Sequence, residues 1–114
     1  MPKRTKDYRI GLLEALRDSE QAAEYLNAAI EDSPEMFLIA LRDVAEANQM
    51  TKVAQGAGVS RESLYRMFRS TGNPRYGSLI GVLKTLGLRL SIEPEPIRRA
   101  AKPARRLRDT RSAA

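Results

Sequence analysis

Cysteine, histidine and tryptophan are all absent from this chain of 114 residues. Without cysteine there is no disulfide and no thiolate chemistry, and stability owes nothing to an oxidising compartment. Without histidine the commonest general base and the commonest transition-metal ligand are missing, leaving only carboxylates, which suit hard cations. There is no glycine-rich phosphate loop, and no pair of carboxylates has a spacing that demands a chemical reading. Catalysis is therefore the least favoured class, and no cofactor or metal is expected. No apolar run approaches the roughly 18 residues that cross a bilayer, and the basic N-terminus is not followed by the apolar core of a signal peptide. The expectation is a cytoplasmic protein with no membrane contact. Its length suits one domain around one modest core.

What is present is charge, and it is unevenly placed. The formal net charge is +6. Between Glu14 and Glu46, nine acids face two bases, Arg17 and Arg42. Between Met50 and Leu90, seven bases (Lys52, Arg61, Arg66, Arg69, Arg75, Lys84 and Arg89) face Glu62 alone. After Pro94, seven further bases face Glu95 and Asp109. A basic half suits a polyanion, whereas the acidic half would be repelled by one and suits another partner.

The local signals predict an all-α fold of five to six short helices. Residues 1–9 are polar and basic and are expected to fray, with Ile10, Leu12, Leu13 and Leu16 marking a short amphipathic helix after them. Asp18 with Gln21 resembles a capping box, and Ala22, Ala23, Leu26, Ala29 and Ile30 then keep helical spacing over 19–31. Ser33-Pro34-Glu35 restarts a helix: a cap, a residue that needs no N–H at the first position, and an acid at the positive end of the dipole. Phe37, Leu38, Leu41, Val44 and Ala45 form its buried stripe.

Residues 50–69 carry the most specific pattern. Val53, Ala54, Ala57, Val59, Leu64 and Met67 fall where two short helices, about 52–57 and 61–69, must touch. Gly58 supplies the left-handed stop of the first, and Ser60 caps the second. This is the spacing of a helix-turn-helix, whose second helix lies in the DNA major groove; an ordinary helical hairpin shares the apolar spacing. Ser70 to Pro74 is a turn, and Leu79, Val82, Leu83 and Leu86 predict a helix over about 76–86, stopped by Gly87. Leu88, Leu90 and Ile92 alternate with Arg89, Ser91 and Glu93, a short strand pattern. A lone strand must find a partner, and the same strand of a second subunit is the candidate; an extended segment packed on the helices is the alternative. Residues 94–114, rich in Pro, Ala and Arg, are expected to be a disordered basic tail behind a 10–93 domain. No internal repeat is visible.

With Val59, Leu64 and Met67 buried, the second motif helix offers Arg61, Glu62, Ser63, Tyr65, Arg66 and Arg69 to duplex DNA. Arg61 and Arg66 suit either a two-pronged contact to guanine or phosphate. Glu62 suits cytosine or an i,i+4 pair with Arg66. Tyr65 brings a ring for a thymine methyl and a hydroxyl for phosphate. Thr51 suits a cap for the first motif helix, leaving its N–H groups to a phosphate. Lys52, Arg69, Asn73 and Arg75 are phosphate candidates.

On these residues the chain resembles known families. Segment 35–90, with GNPRYGSLIGVLKTLGL, is similar to the helix-turn-helix domain of lambda repressor and Cro. More closely, AEYLN (Ala23–Asn27), FLIALRDV (Phe37–Val44), SRESLY (Ser60–Tyr65) and LGLRLSI (Leu86–Ile92) resemble the addiction-module antidote proteins, small bacterial antitoxins, over about residues 8–94. The resemblance implies an antitoxin that neutralises a toxin and represses its own operon, with DNA contacts on Thr51, Ser60, Arg61, Glu62, Ser63, Tyr65 and Arg66. Thr51-Lys52 and Ser60-Arg61 stand where many such repressors carry Gln, so their base specificity does not transfer. The partners expected are double-stranded operator DNA, a cognate toxin protein and a second copy of the chain, paired through 88–92. Two alternatives are a toxin-inhibiting module with little DNA binding, whose acidic half covers a basic toxin, and a prophage-type repressor without a toxin.

Overall fold

Six helices follow one another in a computed structural model of the protein, which describes residues 2–69 and 73–96. They are α1 (Pro2–Ala15), α2 (Ser19–Asp32), α3 (Pro34–Ala47), α4 (Met50–Ala57), α5 (Arg61–Met67) and α6 (Tyr76–Thr85). Among the described residues there is no strand.

The helix boundaries have local chemical causes. The Asp18 carboxylate accepts the Gln21 N–H at 3.1 Å and opens α2. Ser33 Oγ accepts the Met36 N–H at 3.0 Å, with Pro34 in the first turn of α3. Gly58, at φ 73°, ends α4 in the left-handed region, where its N–H donates to Gln55 O and that of Val59 to Ala54 O. The same pair of bonds closes α6: Gly87 N–H donates to Lys84 O, and Leu88 N–H to Leu83 O. Both ends are the six-residue closure that satisfies the last carbonyls of a helix.

The core is a single cluster built on α3. Leu41, Val44 and Ala45 are fully enclosed. Leu16, Ala22 and Leu26 join them in one cluster with Met50, Val53, Ala54, Leu64, Phe68, Val82 and Leu83. α2 and α1 pack on α3, while α4 contacts α3, α5 and α6. Asn48 ties the end of α1 to the end of α3, its amide donating to Val44 O at 2.9 Å and to Leu16 O at 3.4 Å. α4 and α6 approach closely at Gly56, where a Cβ would lie 2.5 Å from Thr85 Cγ2.

Four expectations need correction. α1 begins at Pro2, so the segment expected to fray before Ile10 is helical. α4 begins at Met50, placing Thr51 inside its first turn; the position before the helix is Gln49, at φ 70°, which makes no side-chain cap. α5 ends at Met67 rather than Arg69, with Phe68, its 2% exposed C-cap residue, closing the last turn. Residues 88–92 form no strand, since a ladder needs a second extended segment and the other described elements are helices. Residues 70–72 of the turn, and 97–114 of the basic tail, lie outside the described residues. No helix among the described residues is long and apolar enough to cross a membrane.

Candidate nucleic-acid interface

α5 owes its start to Ser60 and its orientation to Leu64 and Phe68. Ser60 Oγ accepts the Ser63 N–H at 3.0 Å and donates to Ser63 Oγ at 2.9 Å. Both hydroxyls are thereby engaged in the cap, which makes Ser60 a structural residue first. Leu64 is completely enclosed and Phe68 nearly so, so the face carrying them is pinned to the core. The opposite face then projects outward, with Arg61, Glu62 and Arg66 exposed, followed by Arg69 beyond the helix end. Val59 and Met67, expected in the core, are half-buried and pack against it.

Tyr65 sits between these faces, half-buried, and two guanidinium groups approach its ring. Arg61 lies 5.6 Å from the centroid and Arg42 of α3 lies 5.8 Å from it. Both fall within the range where a cation is attracted to an aromatic face. Arg42 belongs by position to the acidic half of the sequence, and only folding brings it to α5. Its partner Glu46, at i,i+4 and 3.4 Å, was visible in the sequence; its neighbour Tyr65 was not. Glu46 also receives Arg9 of α1, which in turn reaches Asp43 at 3.3 Å. Burial alone would lower the Arg9 pKa, but Asp43 and Glu46 outweigh it and hold the guanidinium more firmly protonated. Asp43 also accepts the Tyr25 hydroxyl at 2.6 Å. Burial first, and then this hydrogen bond, push the Tyr25 pKa well above its usual value.

The ion pairs among the described residues thus lie on α1 and α3, where Arg9 and Arg42 meet Asp43 and Glu46. From α4 onward no ion pair forms among the described residues. Lys52 beside Thr51 on α4, Arg61, Arg66 and Arg69 on and after α5, and Asn73 and Arg75 ahead of α6 are all exposed. The i,i+4 pair between Glu62 and Arg66 does not form, so both groups remain available to a partner. The N–H groups of Met50, Thr51 and Lys52 open α4 ahead of Val53, whose N–H is the first to bond back, to Gln49 O. Such free donors suit an anion. Thr51 and Lys52 therefore carry two of these three donors, while Ser60, Arg61, Glu62 and Tyr65 line a shallow open depression on α5.

A family model described as probable addiction module antidote protein matches residues 6–94. An uncharacterized protein of Haemophilus influenzae is 37% identical over 94 residues, covering 82% of this chain and 95% of that relative. No solved structure matches.

Proposed function

The chain belongs to the addiction-module antidote family, and from that premise we propose that it is an antitoxin which represses its own operon as a dimer on duplex DNA. The antidote role carries with it a cognate toxin partner. In the regulatory role, α4–turn–α5 acts as a helix-turn-helix, with α5 laid in the major groove. One observation supports this reading: α5 buries Leu64 and leaves Arg61, Glu62 and Arg66 on its outer face, in a stretch from α4 to α6 where no ion pair forms among the described residues. Arg61 and Arg66 reach base edges or phosphates, and Tyr65 and Glu62 complete the reading face. Ser63 supports it from the cap. Lys52, Arg69, Asn73 and Arg75, with the N–H groups beside Thr51, hold the phosphate backbone on either side. The protein acts by binding, without catalysis.

The acidic helices do the other half of the work. Exposed Glu20, Glu24, Glu31, Asp32 and Glu35 on α2 and α3 are repelled by DNA and attract a basic protein surface, which suits the toxin. If DNA binding were weak, this same surface would still support a protein-inhibitor role.

The test is binding to DNA from the chain's own promoter. Specific binding is expected at a near-palindrome with half-sites about one helical turn apart. Affinity should fall with a log–log salt slope of about −0.9 per neutralised phosphate. Arg66→Ala should cost about 1–3 kcal/mol on the operator and relax specificity if it reads a base, whereas Lys52→Ala should weaken all sequences alike. Equal, salt-insensitive binding to every sequence would refute the repressor role. Co-purification of the neighbouring gene product tests the toxin role, and a locus with no toxin gene would refute it.

A further inference from the structure

The segment after α6 carries features that together describe one interface. Leu90 is 42% exposed and Ile92 is 93% exposed, on the alternating face that begins with the half-buried Leu88. An apolar groove lined by Tyr76, Ile80, Leu83 and Leu88 runs beside them. The Leu88 N–H is turned inward, donating to Leu83 O at 2.8 Å. In an extended chain, successive residues direct their N–H and C=O groups to opposite edges. In an extended strand continuing from that Leu88 bond, Arg89, Ser91 and Glu93 would direct theirs outward, and Leu90, Ile92 and Pro94 would not. Pro94 has no N–H to donate and is tolerated only at such an inward position.

We propose that residues 89–93 pair antiparallel with the same residues of a second copy, in a register centred on Ser91. In that register Ser91 meets Ser91, Arg89 of each copy stands opposite Glu93 of the other, and Leu90 stands opposite Ile92. Charges oppose unlike charges and apolar residues oppose apolar residues. The outward-facing residues are the ones that form hydrogen-bonded pairs. Each such pair exchanges two N–H···O bonds, so the three pairs supply about six. Leu90 and Ile92 fall at the closer, non-hydrogen-bonded positions, where side chains pack best. Ile92 of the second copy then covers Leu90 and the mouth of the groove beside Tyr76 and Ile80. A register centred on Leu90 loses this match: Arg89 would oppose Ser91, and Glu93 would oppose Gly87. The interface gives a register to the dimer invoked in the repressor reading, but its test contains no DNA and no toxin, so each can fail alone.

The experiment uses the full chain and begins with sedimentation equilibrium, which is expected to show a dimer. Because the protein has no cysteine, Ser91→Cys introduces a single thiol. Paired Cα atoms about 5.5 Å apart lie within disulfide reach, so oxidation should give a reducible cross-linked dimer. Leu90→Cys should cross-link much less. Arg89→Glu alone should weaken dimerisation about tenfold, through two like-charge contacts per dimer, and adding Glu93→Arg should restore it. Far-ultraviolet circular dichroism spectra should match the parent chain, since these side chains lie outside the core. A monomer at all concentrations, preferential cross-linking at position 90, or no rescue by the double swap would overturn the proposal.

Discussion

Gly56→Ala should destabilise this protein, although helix propensity alone says the opposite. In the interior of an exposed helix, replacing Gly with Ala gains about 1 kcal/mol. Here the new Cβ would lie 2.5 Å from Thr85 Cγ2, 2.6 Å from Thr85 Oγ1 and 3.1 Å from Thr85 Cβ. Turning the threonine cannot clear it. Two γ atoms share three staggered positions, and the two now filled are the obstructed ones, so every rotamer leaves at least one γ atom in the way. Rotation would also break the bond from Thr85 Oγ1 to Gly81 O, at 2.8 Å. α4 and α6 must therefore move apart, and overpacking of this kind costs about 1–3 kcal/mol. After the propensity gain, the net loss should be about 1 kcal/mol, or about 4–8 °C in Tm for a domain of this size. The assay is a double-mutant cycle by thermal and urea unfolding with Thr85→Ala, which removes both γ atoms. In that background Gly56→Ala should be neutral or stabilising, giving a coupling of at least about 1 kcal/mol. An equal effect in both backgrounds, or a rise in Tm of the parent chain, would refute the close-approach reasoning.

Leu64→Ala should lower stability by about 2–5 kcal/mol, read as a fall in urea midpoint, because a wholly enclosed side chain leaves a cavity where α5 meets the core. Gln49→Gly should raise stability by about 0.5–1 kcal/mol, since φ 70° strains a residue with a Cβ and Gln49 makes no side-chain cap to lose. Tyr25 keeps its proton in the folded state above the pH at which it would lose it unfolded. The stabilisation is complete below about pH 10, the ordinary tyrosine value, and is lost as the pH rises beyond it. Chemical denaturation from pH 9 upward should show this decline, and Tyr25→Phe should flatten it.

Local chemistry was legible wherever a boundary depends on one or two neighbouring residues. Asp18, Ser33, Ser60, Gly58 and Gly87 act where their types and spacing predict, because a cap or a left-handed stop is satisfied within a few residues of itself. The stripe of α3 was legible for the same reason: Leu38, Leu41, Val44 and Ala45 recur at the period of the helix and are all buried, while Phe37, expected with them, is half-buried. Gln49 was not, since a glutamine before a helix carries no signal of a positive φ. Phe68 stands four residues after Leu64, so the helical period does place it on the buried face, although Met67 was the residue expected in the core. Among the candidate site residues, exposure of Arg61, Glu62 and Arg66 followed from burial of Leu64, but the position of Arg42 over Tyr65 joins α3 to α5 and left no local trace.

The amino-acid sequence determined the helices, their caps, the polarised charge and the face that α5 turns outward, all properties of residues within a turn or two of each other. Only the tertiary structure decided the pairing of Arg9 of α1 with Asp43 and Glu46 of α3, the contact of Arg42 with Tyr65, and the close approach of Gly56 to Thr85. It also decided that residues 88–92 form no strand within one chain. Each of these depends on which distant segment lies alongside, and that is set by how the apolar faces of six helices share one core.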